Sequence, residues 1–287
     1  MASHSPITLN IDGRVSCRLY SDTRPHCLEI AQLQKGLVLM LDGEELIEEG
    51  VGFGAPVVLY DDRPYFSVSA ECSVQSEGKR KFLVKSFVLD AVSRKRVGKA
   101  FYINDGFYKF FHERFHRTYV RRKRLTPFFN RLMELRRVFR VGTEFVKVKQ
   151  RGIITVTYNC LPDVIEVEVS LSNLDRAGCR EILILNEQGA SVFRRYSDSD
   201  GLELVDGQVG AMETVEAEQA CFSGGNEKVC FSLRQVKETQ LFRGREVTRG
   251  RFSWAGFGYA LPPNLSVFKY TVGLKKPTQT VTNRSQA

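Results

Sequence analysis

The sequence predicts a mainly β protein: a large antiparallel β-sandwich, the supersandwich being its larger variant, with one short amphipathic helix near 127–140. Three observations carry this reading. Short apolar runs recur along most of the chain, separated by Gly, Asn and Asp turn signals. One run alternates cleanly, Ile165, Val167 and Val169 with Glu166, Glu168 and Ser170, as a half-exposed strand does. A clear helical period occurs in a single segment. The 287 residues are 43% hydrophobic and 26% charged, a globular balance that argues against disorder or a fibrous repeat.

Taken in order, Ile7–Asn10 and Arg14–Leu19 flank Asp12-Gly13, a favoured hairpin pair. Gly36–Leu41 runs into a second such pair, Asp42-Gly43, and then Leu46-Ile47. Gly50, Gly52 and Gly54 surround Val51 and Phe53, which predicts a bulge or a close backbone approach. Pro56–Tyr60 and Tyr65–Val74 follow as strands. Lys81–Ala91 has Phe82, Val84, Ser86 and Val88 on one face and Leu83, Phe87 and Leu89 on the other, the pattern of a strand buried on both sides. Lys99–Ile103 reads as a short strand. The second half continues with Glu144–Val148, Ile153–Tyr158, Val164–Leu171, Glu181–Leu185, Ser191–Tyr196, Lys228–Val236 and Ser266–Val272. No repeat marks a propeller. The expected organisation is one β-rich domain, 1–275, with a basic aromatic and helical insertion at 106–142 and a flexible polar tail at 276–287.

The helix signal begins at Thr126-Pro127, an N-cap followed by proline at the first helical position. Phe128, Leu132, Leu135 and Phe139 then form a stripe, with Arg136, Arg137 and Arg140 in the last turn, where the helix dipole favours cations. The preceding stretch, 107–120, fits either a helix or a strand. Phe107, Phe111, Phe115 and Tyr119 repeat every four residues, but they also share one face of a strand.

Charge is concentrated in the same region. Lys109–Arg151 holds fourteen basic residues against Glu113, Glu134 and Glu144, a net +11 that leaves the remainder at −2 of the chain's +9. Arg121, Arg122, Lys123 and Arg124 are adjacent and repel one another, a cost that an anionic partner relieves. Aromatics including Tyr119 interleave with the cations, and such rings stack on bases or sugars. The expected ligand-binding residues are Arg117, Tyr119, Arg121, Arg122, Lys123, Arg124 and, from a separate aromatic cluster at Phe252–Tyr259, Trp254. The plain alternative for the charge run is a solvated face, and for Trp254 a core edge whose indole N–H finds an acceptor.

His112-Glu113-Arg114-Phe115-His116 spells H-E-x-x-H. These five residues resemble the zincin metallopeptidase motif, in which a helix sets two histidines on one face around a zinc ion. The resemblance implies His112 and His116 as zinc ligands, Glu113 as general base and Glu134 as a third ligand. Arg114 and Arg117 oppose it, because cations beside a dication raise the cost of binding. A strand at 107–120 also opposes it, since residues four apart on a strand are too far apart for one metal.

At the level of architecture, the strand content resembles the large β-sandwiches of carbohydrate-active proteins, including the mutarotase-like group. This is a class-level likeness that transfers no residues. Seven scattered cysteines without a C-x-x-C pair read as thiols in a reducing compartment. Residues 1–30 show no secretory pattern and no apolar run is long enough to span a membrane, so a soluble cytoplasmic protein is expected. Three functional classes follow: a binder of an anionic ligand or polyanion (acidic or phosphorylated saccharide, or nucleic acid), a zinc hydrolase, or a scaffold docking an acidic protein partner. No serine nucleophile elbow, P-loop, dinucleotide fingerprint or calcium loop accompanies them.

Overall fold

The computed structural model describes residues 6–12, 14–20, 24–25, 32–48, 50–61, 64–67, 69–89, 92–97, 142–147, 150–224, 229–248 and 252–275. These residues are almost all β, and every ladder between them is antiparallel. Among them the sole helical turn is a 3-10 turn at Asp206–Gln208. The helix expected near 127–140, the strand expected at Lys99–Ile103 and the tail at 276–287 lie outside the described residues. No helix among the described residues is long and apolar enough to cross a membrane.

The larger sheet has nine strands, in the order β17 (Glu203–Val205), β16 (Phe193–Asp198), β19 (Gln219–Gly224), β20 (Cys230–Arg234), β23 (Val267–Gly273), β14 (Val164–Leu174), β13 (Gly152–Cys160), β10 (Arg80–Val88) and β9 (Ser69–Glu77). A six-stranded sheet runs β18 (Glu213–Thr214), β21 (Gln240–Thr248), β22 (Phe252–Leu261), β15 (Cys179–Gln188), β7 (Gly52–Tyr60) and β8 (Pro64–Phe66). Four further strands, β1 (Ile7–Asp12), β2 (Val15–Leu19), β5 (Val38–Leu41) and β6 (Glu44–Glu45), form a small sheet. Two two-stranded sheets complete the set: β3 (Arg24–Pro25) with β4 (Gln32–Leu33), and β11 (Val92–Val97) with β12 (Gly142–Lys147).

The two large sheets face each other across an aromatic core. Phe53 and Phe257 of the six-stranded sheet meet Phe231 and Phe222 of the nine-stranded sheet at centroid distances of 5.2 and 4.9 Å. Tyr259 meets Phe268 edge-on at 5.0 Å. Edge and tilted contacts of this kind place the positive rim of one ring against the negative face of another. The sheet order explains the strand patterns. β14 is alternately buried and exposed because one face meets this core and the other meets water.

Glycine sets the shape of β7. Gly52 and Gly54 both have φ of +77°, a region that side chains other than glycine rarely adopt. The register against β15 slips between Leu185 and Asn186, so that Gly54 is an extra, bulged residue. A Cβ on Gly36 would lie 1.9 Å from the Phe53 carbonyl oxygen, which is how closely the small sheet's approach strand runs beside β7. The glycine-rich run and Pro56–Tyr60 therefore join into one bulged strand. Tyr65–Val74 divides instead, giving β8 to one sheet and β9 to the other. β19, β21 and β22 are strands that the sequence reading did not anticipate.

The strand expected to end at Leu185 continues through Asn186-Glu187-Gln188. All three are buried, at 0%, 8% and 0% exposure. Asn186 Oδ1 accepts from the bulged Gly54 N–H at 3.1 Å and from the Tyr270 hydroxyl at 2.7 Å, while its Nδ2 donates to Ile184 O at 3.3 Å. Glu187 Oε2 accepts from Val51 N–H at 3.2 Å. Gln188 Oε1 takes the Leu39 N–H in a longer contact, 3.4 Å. Tyr158 adds a second inter-sheet bond, donating to Phe53 O at 2.8 Å. Burial raises the ionisation of Tyr158 and Tyr270 well above the phenol range, so both remain donors.

The small sheet is fixed to the nine-stranded one by buried polar groups. Lys85, fully buried on β10, donates to Tyr20 O at 2.6 Å and Lys35 O at 2.8 Å, with its ammonium 5.2 Å from the Phe87 ring centre. Cys17 on β2 is hydrogen-bonded to Cys160 on β13, and this contact together with burial raises its thiol well above the usual range. The six described cysteines are free thiols, three of them buried. Cys27 lies outside that set.

Asn186→Ala leaves the Gly54 N–H and the Tyr270 hydroxyl buried without an acceptor, at roughly 1–3 kcal/mol each. Urea unfolding is expected to show a loss of about 2–4 kcal/mol. Tyr270→Phe should cost about 1 kcal/mol. The double variant should lose less than the sum, because the hydroxyl that Asn186→Ala strands is no longer there. Strict additivity would show that the two side chains act separately.

Candidate functional site

Among the described residues, the β11–β12 ladder brackets most of the basic segment. β11 and β12 pair from Val92↔Lys147 to Val97↔Gly142, so residues 98–141 leave and re-enter the fold at one rung. β11 lies beside β8, at the edge of the six-stranded sheet. Residues 98–141 contain twelve basic and three acidic side chains, leaving thirty of each sign elsewhere. That excursion alone therefore carries the chain's entire +9. The expected ligand residues Arg117, Tyr119, Arg121, Arg122, Lys123 and Arg124 all belong to it and lie outside the described residues. So do His112, Glu113, His116 and Glu134, the zinc site that the H-E-x-x-H motif implies. Among the described residues, no group of three or more His, Cys, Asp or Glu side chains is placed to hold a metal ion.

The last cation of the basic stretch is described, and its setting is structural. Arg151 forms an ion pair with Asp175 at 2.8 Å. Its guanidinium lies over the rings of Tyr60 and Tyr65, at 4.8 and 5.5 Å from their centres. The two rings themselves meet edge-on at 4.8 Å. Hydrogen bonds from Arg151 to Tyr65 and Asp175 hold its ionisation above the ordinary guanidinium range. Arg151 thus anchors the returning chain to β7 and β8.

Trp254 lies on the side of the six-stranded sheet that faces away from the aromatic core. It is 9% exposed, and its indole N–H donates to Glu246 Oε2 at 3.2 Å. The ring fits because its neighbour across the sheet is bare: a Cβ on Gly244 would come within 2.6 Å of Trp254 Cη2. Phe242 covers Gly258 in the same way. Gly244 and Gly258 therefore make room for rings from the adjacent strand, Gly256 lies against the Asn186–Glu187 backbone, and Phe257 and Tyr259 point into the core.

Glu187 occupies the same outward side, between Gly52 and Gly256 on the flanking strands. Burial pushes its carboxyl up to about 7. The Val51 N–H and the nearby Lys35 ammonium pull it down, and Glu246 pushes it further up. Lys35 is itself buried, donating to Glu48 O at 3.0 Å. Two carboxylates in unlike surroundings near a tryptophan are the raw material of acid–base chemistry. Here the inner one is closed off by the glycine loop it holds, so its direct role is to take up a proton near neutrality. Sequence reasoning missed Glu187. The available signal was three consecutive polar residues at the end of the apolar run Ile182–Leu185.

No family model matches the chain. No curated protein matches it either. Among solved structures, the alpha-N-acetylgalactosaminidase NagBb from Bifidobacterium bifidum, in complex with GalNAc, is similar at 8% identity and a TM-score of 0.48. The match covers 94% of this chain and 35% of that one. The chain therefore spans about a third of the length of that enzyme.

Because the folded-state value of Glu187 exceeds that of a free glutamate, the native state holds the extra proton between pH 4.5 and about 7. Its contribution to stability is accordingly present at low pH and is lost as pH rises through that window. Glu187→Gln removes this dependence. The stability of Glu187→Gln relative to the parent is expected to rise by on the order of 2–3 kcal/mol between pH 5 and pH 8. Parallel stability curves for the two proteins would show that Glu187 does not titrate there.

Proposed function

We propose that the protein binds an anionic ligand, an acidic or phosphorylated saccharide or a nucleic acid, through the basic segment 109–151, and that the β-sandwich is its carrier. The observation that supports this most directly is the β11–β12 ladder. It gathers the chain's whole net charge into one excursion from an electrically balanced body. A long-range field from such a source attracts polyanions and weakens steeply with salt. The interleaved aromatics add stacking surface suited to bases or sugar rings. Arg151, already engaged by Asp175 and two tyrosines, serves as the anchor of the segment and not as a ligand contact.

Binding to heparin and to single-stranded nucleic acid, followed from 50 to 500 mM salt, tests the reading. The logarithm of affinity should fall linearly with the logarithm of salt, by roughly 0.7–0.9 per phosphate neutralised. Reversing Arg121, Arg122, Lys123 and Arg124 to glutamate should abolish binding at 150 mM salt while the melting temperature stays unchanged. Salt-independent affinity that survives the reversal would defeat the proposal.

A further inference from the structure

The side of the nine-stranded sheet that faces away from the aromatic core carries a groove of about 350 Å³. Two polar rungs cross its floor. The register places Thr157, Glu168 and Lys269 side by side on β13, β14 and β23, and Asn159, Glu166 and Thr271 on the next outward-facing rung. Phe82, half-buried on β10, closes one end beside Asn159. Between the rungs the chain turns Tyr158, Val167 and Tyr270 inward to the core, so the outward groups are held by a rigid sheet.

One pair of these polar groups is pre-set. Asn159 is 8% exposed, and its Nδ2 donates to Glu166 Oε2 at 2.7 Å, which fixes both planar groups. Lys269 Nζ is 2.7 Å from Glu168 Oε2. Among the described residues, nothing donates to Asn159 Oδ1, and neither Thr157 nor Thr271 has a side-chain partner. The floor thus offers fixed acceptors, hydroxyls able to donate or accept, one ammonium and one aromatic wall. It carries two carboxylates against one ammonium, which repels anions, so it is no extension of the basic segment.

We infer that this groove is a binding site for a neutral saccharide. A pyranose carries hydroxyls around its rim, each both donor and acceptor, and an apolar C–H face. The two rungs match the rim and Phe82 matches the face. The volume lies near the lower end of ligand pockets, roughly 300–1,000 Å³, a size suited to one or two sugar rings. A small cation such as a polyamine would use the carboxylates but leave Phe82, Asn159 Oδ1 and the threonine hydroxyls without a role.

Isothermal titration of the full chain with cellohexaose, maltohexaose, xylohexaose and mannohexaose tests the assignment. At least one should bind, with affinity insensitive to salt and unaltered by the Arg121–Arg124 reversal. That last property separates this site from the basic segment, whose failure would leave the groove untouched. Phe82→Ala and Asn159→Ala should each weaken binding by about tenfold. Glu168→Ala, at an exposed position, should weaken it without shifting the melting temperature. Silence across the four sugars, binding that all three variants retain, or binding of spermidine in place of sugar would each overturn it.

Discussion

The fold depends on the side chains of Asn186, Glu187 and Gln188 taking the place of a backbone ladder. Where β7 bulges at Gly54, its N–H loses its ladder acceptor on β15. Asn186 supplies one from a side chain and binds Tyr270 of the opposite sheet with the same atom. Glu187 holds Val51, and Gln188 reaches Leu39 on β5 of the small sheet. A backbone donor buried without a partner costs about as much as several methylenes of apolar burial recover. Three sheets that differ in size and direction therefore meet at one short polar run. The bulge requires glycine, the glycine leaves a donor, and the donor requires the asparagine.

A second constraint follows from the first. Joining sheets through polar side chains brings titratable groups into the interior, and each is stabilised by a different device. Lys85 is surrounded by carbonyl oxygens and an aromatic face. Arg243 lies over the Tyr196 ring at 4.5 Å and pairs with Glu213 at 2.9 Å. Arg245 reaches the carbonyl oxygens of Ala190 and Phe193, and burial lowers its ionisation. Glu187 alone meets its burial by holding a proton near neutrality. Acceptors converge on the three cations, whereas Glu187 receives the Val51 backbone N–H and faces a neighbouring carboxylate, Glu246.

Much of the β architecture was legible because local chemistry and tertiary role coincide. Asp42-Gly43 is a tight turn with both residues at positive φ, 52° and 87°. The three glycines at 50, 52 and 54 do mark a bulge and a close approach. The alternation at Ile165–Ser170 does mark a strand with one wet face. The reading failed where a residue's partner lies in another strand. Asn186-Glu187-Gln188 resembles a turn until its donors on Gly54, Val51 and Leu39, each more than a hundred residues away, are known. Gly244 and Gly258 look like loop residues until Trp254 and Phe242 are seen to need the space beside them. The groove was invisible for a related reason. Its rungs combine β13, β14 and β23, and nothing in a linear pattern places Lys269 next to Glu168. The basic segment was fully legible as charge, and the described residues add the β11–β12 ladder at its base.

The position of β23 bears on how the molecule is made. This strand, late in the chain, lies in the middle of the nine-stranded sheet, between β20 and β14. Both halves of that sheet are synthesised before the strand that joins them exists. During translation each half presents an open edge of unpaired backbone, the template for wrong pairing that folded proteins hide. Closure must wait until Val267–Gly273 leaves the ribosome, so cooperative folding comes as a late, long-range event. A nascent chain stalled before that strand should therefore be the form that chaperones hold most tightly.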